Sequence, residues 1–299
     1  MSCKYKHLIV SLLGMLLAST AQAKLNVFAC EPEWAALVTE LAGEQAEVFA
    51  ATHAGQDPHH VQARPSLIAR LRSADLAVCT GAELETGWMP MLQRRARNPK
   101  VLPGQPGYFE ATDAVTLLER PAALDRAEGD VHGEGNPHVQ LDPRRMLEIG
   151  KALSARLQQI DASNGAFYQQ RWQDFATRWQ AALDRWGNDS ALLRGKRVVV
   201  HHQEWVYLLD WLGMQRVGSL EPKPGIPPNM AHLAQLKQQS GDFILLSPLN
   251  DNKPADWLRS QTGMPVVVVP QTVGAVPGSD DLFSFFDTIV KRLTALGKA

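Results

Sequence analysis

The chain has 299 residues, 45% of them hydrophobic and 20% charged, with a formal net charge of −1. That length holds two ordinary domains or one large one, and that balance excludes a disordered polymer. A near-neutral charge gives no reason to expect a nucleic acid or an anionic membrane surface as a partner.

Lys4, Lys6 and His7 precede the apolar run LIVSLLGMLLAS and the stretch TAQA. A basic start, a short apolar core and Ala-Gln-Ala read as a secretory signal over 1–23, cut after Ala23. The run is too short for an ordinary transmembrane helix, and no later segment is long enough. Cys3 lies at the start of this signal, and Cys30 lacks a lipobox before it. Neither a lipid anchor nor stable membrane insertion is expected, and export points to a periplasm.

Strand-like KLNVFAC leads into a helix over 31–44 with Trp34, Leu37 and Leu41 on one face. AEVFAAT is a second strand, followed by a helix over 64–74. DLAVCT is a third strand, followed by a helix over 87–97. Apolar runs alternating with 3.6-period stretches argue for α/β with a parallel sheet. Cys30 and Cys79 each end an apolar run, in a chain bound for an oxidising compartment. Two readings stand: a disulfide, if those strands are neighbours, or two buried free thiols.

Residues 122–137, AALDRAEGDVHGEGNP, lack hydrophobic patterning and read as a loop. A helix over 142–160 follows. Over 167–186, Trp172, Phe175, Trp179, Leu183 and Trp186 recur at steps of three and four, an apolar stripe for packing. A second set begins with the strand KRVVVHH and a helix from Glu204 ended by Gly213. QRVGSL is the next strand, and EPKPGIPP a Pro-rich loop. A helix over 230–240, the strand DFILLSP, a helix over 254–263, the strand MPVVVVP and a helix over 281–296 complete the chain. The expected fold is two α/β lobes, each a parallel sheet flanked by helices, joined by one long rigid helix. The divisions are 24–162, 163–188 and 189–299. Ligands of such sheets bind beyond the carboxyl ends of the strands, here in the cleft between lobes.

Histidines fall in those places. His59 and His60 follow the second strand, His138 closes the loop, and His201 and His202 end the strand RVVV. Pro58 and Pro137 restrict the backbone before two of these sites. Imidazole suits zinc, and Asp57, Asp142 and Glu204 stand near enough in sequence to orient the rings. No His-Glu-x-x-His, Gly-x-Ser-x-Gly or phosphate-binding Gly-x-x-x-x-Gly-Lys-Ser/Thr is present.

Four stretches carry a family likeness: DPHHVQARPS, ADLAVCTGAELETGW, NPHVQLDP and VVVHHQEWVYLLDWLGM. In that order they resemble the zinc/manganese-type metal solute-binding proteins of bacterial ABC importers, the high-affinity zinc uptake family. The resemblance covers nearly the whole chain after residue 23. It implies a two-lobed fold with the metal between the lobes. The first ligand, six residues before the proline of Pro-Ser, is His59. The second is His138. The third, three residues before Trp205 and five before Tyr207, is His202. His60 and His201 are then auxiliary neighbours.

The sequence departs from the family pattern in three places. Gln140 stands where the motif has tryptophan. Gln271 stands where the family usually has an acidic fourth ligand. The loop before Asn136 carries only His132 with Asp125, Glu128, Asp130 and Glu134, and reads as a solvated loop that scavenges metal weakly at most. Three histidines are expected as ligands, with water or a carboxylate from elsewhere completing the shell. Imidazole donors favour zinc over manganese, which prefers oxygen. The expected function is metal capture without chemistry and delivery to an ABC permease, by a monomer docking through the rims of its lobes. Two rivals carry the same residues: a zinc-dependent hydrolase with Glu204 as general base, and a binding protein for a chelated metal such as haem or a siderophore.

Overall fold

The computed structural model describes residues 23–121, 129 and 132–296. The expected secretory signal lies outside the described residues, as does most of the acidic loop with Asp125, Glu128 and Asp130. Among the described residues, no helix is long and apolar enough to cross a membrane.

The first sheet comprises β1 (Leu25–Ala29), β2 (Ala46–Ala50), β3 (Leu76–Cys79) and β4 (Tyr108–Glu110), in the order β2-β1-β3-β4. The second comprises β5 (Arg197–Val200), β6 (Gln215–Ser219), β7 (Phe243–Leu246) and β8 (Val266–Val268), in the order β6-β5-β7-β8. All pairings are parallel. The runs LAVC and FILL are buried on both faces, the condition under which a parallel strand reads as continuous hydrophobicity.

Helices cover both faces of each sheet. α1 (Pro32–Ala42) and α4 (Pro143–Ile160) pack on the inner face of the first sheet, and α2 (Pro65–Ser73) and α3 (Met89–Ala96) on the outer face. In the second lobe, α6 (Val206–Leu212) and α9 (Leu282–Ala295) lie inside, and α7 (Met230–Leu236) and α8 (Asn252–Thr262) outside. Pro32, Pro65 and Pro143 stand in the first turn of their helices, where the missing N–H costs nothing.

α5 (Gly165–Asp189) is the 25-residue helix shared by the lobes. Its stripe of Phe175, Trp179 and Trp186 joins one continuous core with Trp34 of α1, Ile149 of α4 and Phe286 of α9. Trp179 donates to the Pro143 carbonyl at 2.7 Å and Trp186 to Asp287 of α9 at 2.6 Å. Gly150 of α4 lets the two helices approach, because a Cβ there would meet Trp172 at 3.0 Å.

Two elements differ from expectation. β4 was not foreseen: three residues after the Pro- and Gly-rich PGQPG are too short to show a two-residue period. α7 stops at Leu236 rather than 240, and Lys237–Gln239 turn away from the helix. Cys30, just past β1, and Cys79, ending β3, are joined by a disulfide. The β1–β3 pairing brings the two Cα atoms to 4.8 Å.

Candidate metal centre

The strand ends of both lobes open onto one cleft of about 370 Å³, lined by His59, His138, His202, Glu204 and Gln271 among others. His59 follows β2, held by a loop that Trp88 pins through a 2.9 Å hydrogen bond to the Pro58 carbonyl. Asp57 accepts from the His59 backbone N–H at 2.9 Å and pairs with its Nδ1 at 2.8 Å. Burial works against the charge on Asp57, yet the hydrogen bonds from His59 outweigh it and hold the carboxyl well below its usual range. An acceptor at Nδ1 fixes the tautomer and leaves the Nε2 lone pair of His59 facing the cleft.

His60 shares Asp57, with Nδ1 at 3.2 Å from the other oxygen. Its side chain is 73% exposed, against 15% for His59, and it does not line the cleft. Neighbouring residues in this turn therefore point apart.

His138 is buried and opens the short turn Val139–Leu141. Asn136 accepts from its backbone N–H at 3.1 Å and donates to the Gln203 carbonyl of the second lobe at 2.9 Å. The Tyr207 hydroxyl donates to the Asn136 carbonyl at 2.6 Å. The Asn-Pro-His motif and the tyrosine five residues after His202 are thus two halves of one clamp between lobes. Burial pushes the His138 pKa well below the usual value, and neighbouring His59 and His202 add to the shift.

His202 follows β5. Its Nδ1 sits 2.7 Å from Glu221, which follows β6. Burial lowers the His202 pKa, but the Glu221 hydrogen bond and the charges of Glu204 and Glu221 overcome it and the net shift is upward. Glu221 had no place in the sequence reading, which saw only a Pro-rich loop. Strand register would have found it: Val200 of β5 pairs with Ser219 of β6, so residues two further on stand side by side. His201 points the other way. It is buried, with Nδ1 3.8 Å from Glu221 and no hydrogen-bond partner there, and burial lowers its pKa.

The rings of His59, His138 and His202 have centroids 5.8, 6.3 and 6.0 Å apart, at interplanar angles of 61°, 78° and 86°. The rings stand edge-on rather than stacked. A tetrahedral zinc shell sets its nitrogens about 3.3 Å apart, whereas these three rings do not bring their donor atoms within 4.8 Å of one another, so the trio stands open relative to a closed shell. Among the described residues, Cys30, Cys79 and Glu85 bring three donor atoms within 4.8 Å of one another. Their two sulfurs are bonded together, neither is a thiolate, and that group is not a metal centre.

Asp142 does not serve the ligand set as expected. It is wholly buried as the N-cap of α4, and its oxygens are taken by Arg144 and Arg145. Glu204 does line the cleft. Its Oε1 has no partner, and burial, opposed by His202, pushes its pKa up to about 7. Gln271 also lines the cleft, and its amide donates to the Ala54 carbonyl of the opposite lobe at 3.1 Å. Oε1 of Glu31, Gln56, Gln140 and Gln271 likewise lacks a partner and faces the same cavity. The wall is rich in carboxyl and amide oxygens, and burial raises the pKa of Glu31 well above the usual carboxyl value and that of Glu33 to about 7, so a cation in the cleft would favour their ionised forms.

The model of a family described as zinc-uptake complex component A, periplasmic, matches residues 27–299. The metal ABC transporter substrate-binding lipoprotein SloC of Streptococcus mutans is 26% identical over 56% of this chain, and the chain covers 54%, about half, of its length. The manganese ABC transporter substrate-binding lipoprotein PsaA of Streptococcus anginosus is 22% identical over 83% of this chain and 80% of its own. A crystal structure of ZnuA superposes with a TM-score of 0.76 at 17% identity, covering 91% of this chain and 99% of that one. It shares the fold of two parallel sheets and a long helix.

Proposed function

We propose, for a chain that belongs to the zinc-uptake complex component A family, that the cleft captures one divalent metal ion and delivers it to an ABC permease. The observation that carries this reading is the convergence of His59, His138 and His202 from three separate loops and both lobes. Relatives are named for metal and for manganese. We assign zinc as the cargo here, since the proposed ligands are imidazoles, and imidazole suits zinc better than manganese.

The cleft wall argues for binding rather than hydrolysis. Hydrolysis develops negative charge on an oxygen, which needs hydrogen-bond donors aimed at it. The unpartnered amide oxygens of Gln140 and Gln271 are acceptors, and the carboxyls of Glu31 and Glu204 become acceptors on losing a proton, so the wall suits a cation better than an oxyanion. The protein then works as a periplasmic monomer, cut after Ala23, with lobes 24–162 and 189–299 on a linker helix 163–188. Delivery requires docking through the lobe rims.

The test is equilibrium dialysis of zinc against the chelator-stripped protein and single variants. His59→Ala, His138→Ala and His202→Ala should each weaken binding by more than ~100-fold, beyond the usual cost of losing an orienting partner. Retention of zinc by any folded member of this set would remove that residue from the ligand set.

A further inference from the structure

The acidic loop before Asn136 brings a fourth imidazole to the site. His132 Nε2 lies 3.3 Å from His59 Nε2, with ring centroids 5.3 Å apart. Zn–N bonds of ~2.0–2.1 Å in tetrahedral array give a nitrogen–nitrogen edge of about 3.3 Å. The two facing nitrogens are therefore already at the separation that a shared ion would impose. His132 also lines a small cavity of about 70 Å³ together with His138 and His202, which places it beside the same cluster.

The local chain is built to hold it there. Gly133 N–H donates to Glu83 at 2.6 Å and Gly135 N–H to the His132 carbonyl at 3.2 Å. Gly135 has φ +125°, and a Cβ on it would meet Leu117 Cβ at 2.8 Å. This tight return requires glycine.

We propose that His132 is the fourth protein ligand of the captured ion, completing a four-imidazole shell with His59, His138 and His202. The inference rests on the metal-capture reading and names what the three-histidine set lacks. It also accounts for Gln271, which stands where the family likeness puts an acid: its amide is engaged with Ala54 across the lobes, and an imidazole from the loop replaces the missing ligand. Asp57 at Nδ1 of His59 leaves that ring's Nε2 as an acceptor, and a shared ion at this pair requires His132 to present Nε2 as a lone pair as well, with its proton on Nδ1.

The experiment uses the chelator-stripped full mature chain, with zinc affinity read by chelator competition and cobalt(II) as a spectroscopic probe of coordination. His132→Gly should weaken zinc binding by more than ~10-fold, more than the loss of an outer orienting partner at its mildest. The visible cobalt bands should lose intensity as water replaces imidazole, and added free imidazole should restore them. Gly135→Ala, which leaves the ligand in place but displaces its loop, should shift the spectrum the same way. An unchanged affinity and spectrum in His132→Gly would overturn the proposal while leaving the three-histidine reading intact. A weakened affinity with an unchanged cobalt spectrum would make His132 a prop for His59 and overturn it too. Failure of the folded wild type to bind zinc or cobalt would overturn the capture reading itself, and this inference with it.

Discussion

On the proposed capture reading, two carboxylates decide which nitrogen of each imidazole meets the metal. Asp57 takes Nδ1 of His59 and Glu221 takes Nδ1 of His202, so each ring presents Nε2 with its lone pair to the centre. Glu221→Ala should lower zinc affinity by ~10–100-fold with the fold intact, measured by chelator competition. His60→Ala and His201→Ala should change it by a few-fold at most, since one ring is exposed to solvent and the other is buried away from the cleft. The raised pKa of His202 gives the pH dependence its sign. An imidazolium cannot ligate, so affinity is full above that value and falls as pH drops through it, starting above the ordinary histidine value of ~6.5. Glu221→Gln removes the charge that raises it and should move the acid limit of binding to lower pH. That His59, His138 and His202 would share one cleft was legible because they sit at fixed offsets from prolines and aromatics in short motifs. Glu221 and His132 were not. Their partners lie 19 and 73 residues away, and only strand register and loop path bring them together.

At the scale of elements, α5 does most to unite the molecule. At 25 residues it is about 37 Å long, and it buries aromatic side chains against helices of both lobes. Trp179 is fully buried, against Phe175, Trp186, Phe283 and Phe286. Trp179→Ala should cost ~3–5 kcal/mol, read from denaturant unfolding, and should lower the stability of both lobes together. The aromatic stripe announced this helix from sequence, with ends two or three residues inside those observed, because helix ends lack apolar periodicity. The Cys30–Cys79 disulfide closes a separation of 49 residues. Its loss should cost about 2–4 kcal/mol by constraining the unfolded chain less. Thermal unfolding of Cys30→Ser with Cys79→Ser should show this, while zinc affinity stays near wild type. Sequence left that bond open because strand adjacency, not strand existence, decides it.

The whole molecule repeats one plan: two parallel sheets with the same strand order, facing each other at their carboxyl ends. Alternating strands and helices made this legible, and the shared core along α5 makes the lobes one folding body rather than beads on a linker. A ligand held by residues of both lobes stabilises that body by mass action. Zinc at 100 times its Kd should add about 2.7 kcal/mol to the unfolding free energy, seen as a rise in Tm that a chelator reverses. The most direct test of metal capture is zinc stoichiometry and affinity on the stripped mature protein, with manganese as competitor. One tightly held zinc per chain, retained against excess manganese, is the result predicted. No tight zinc, or displacement by manganese at comparable concentration, would contradict it and mark Gln271 as the sign of a different cargo.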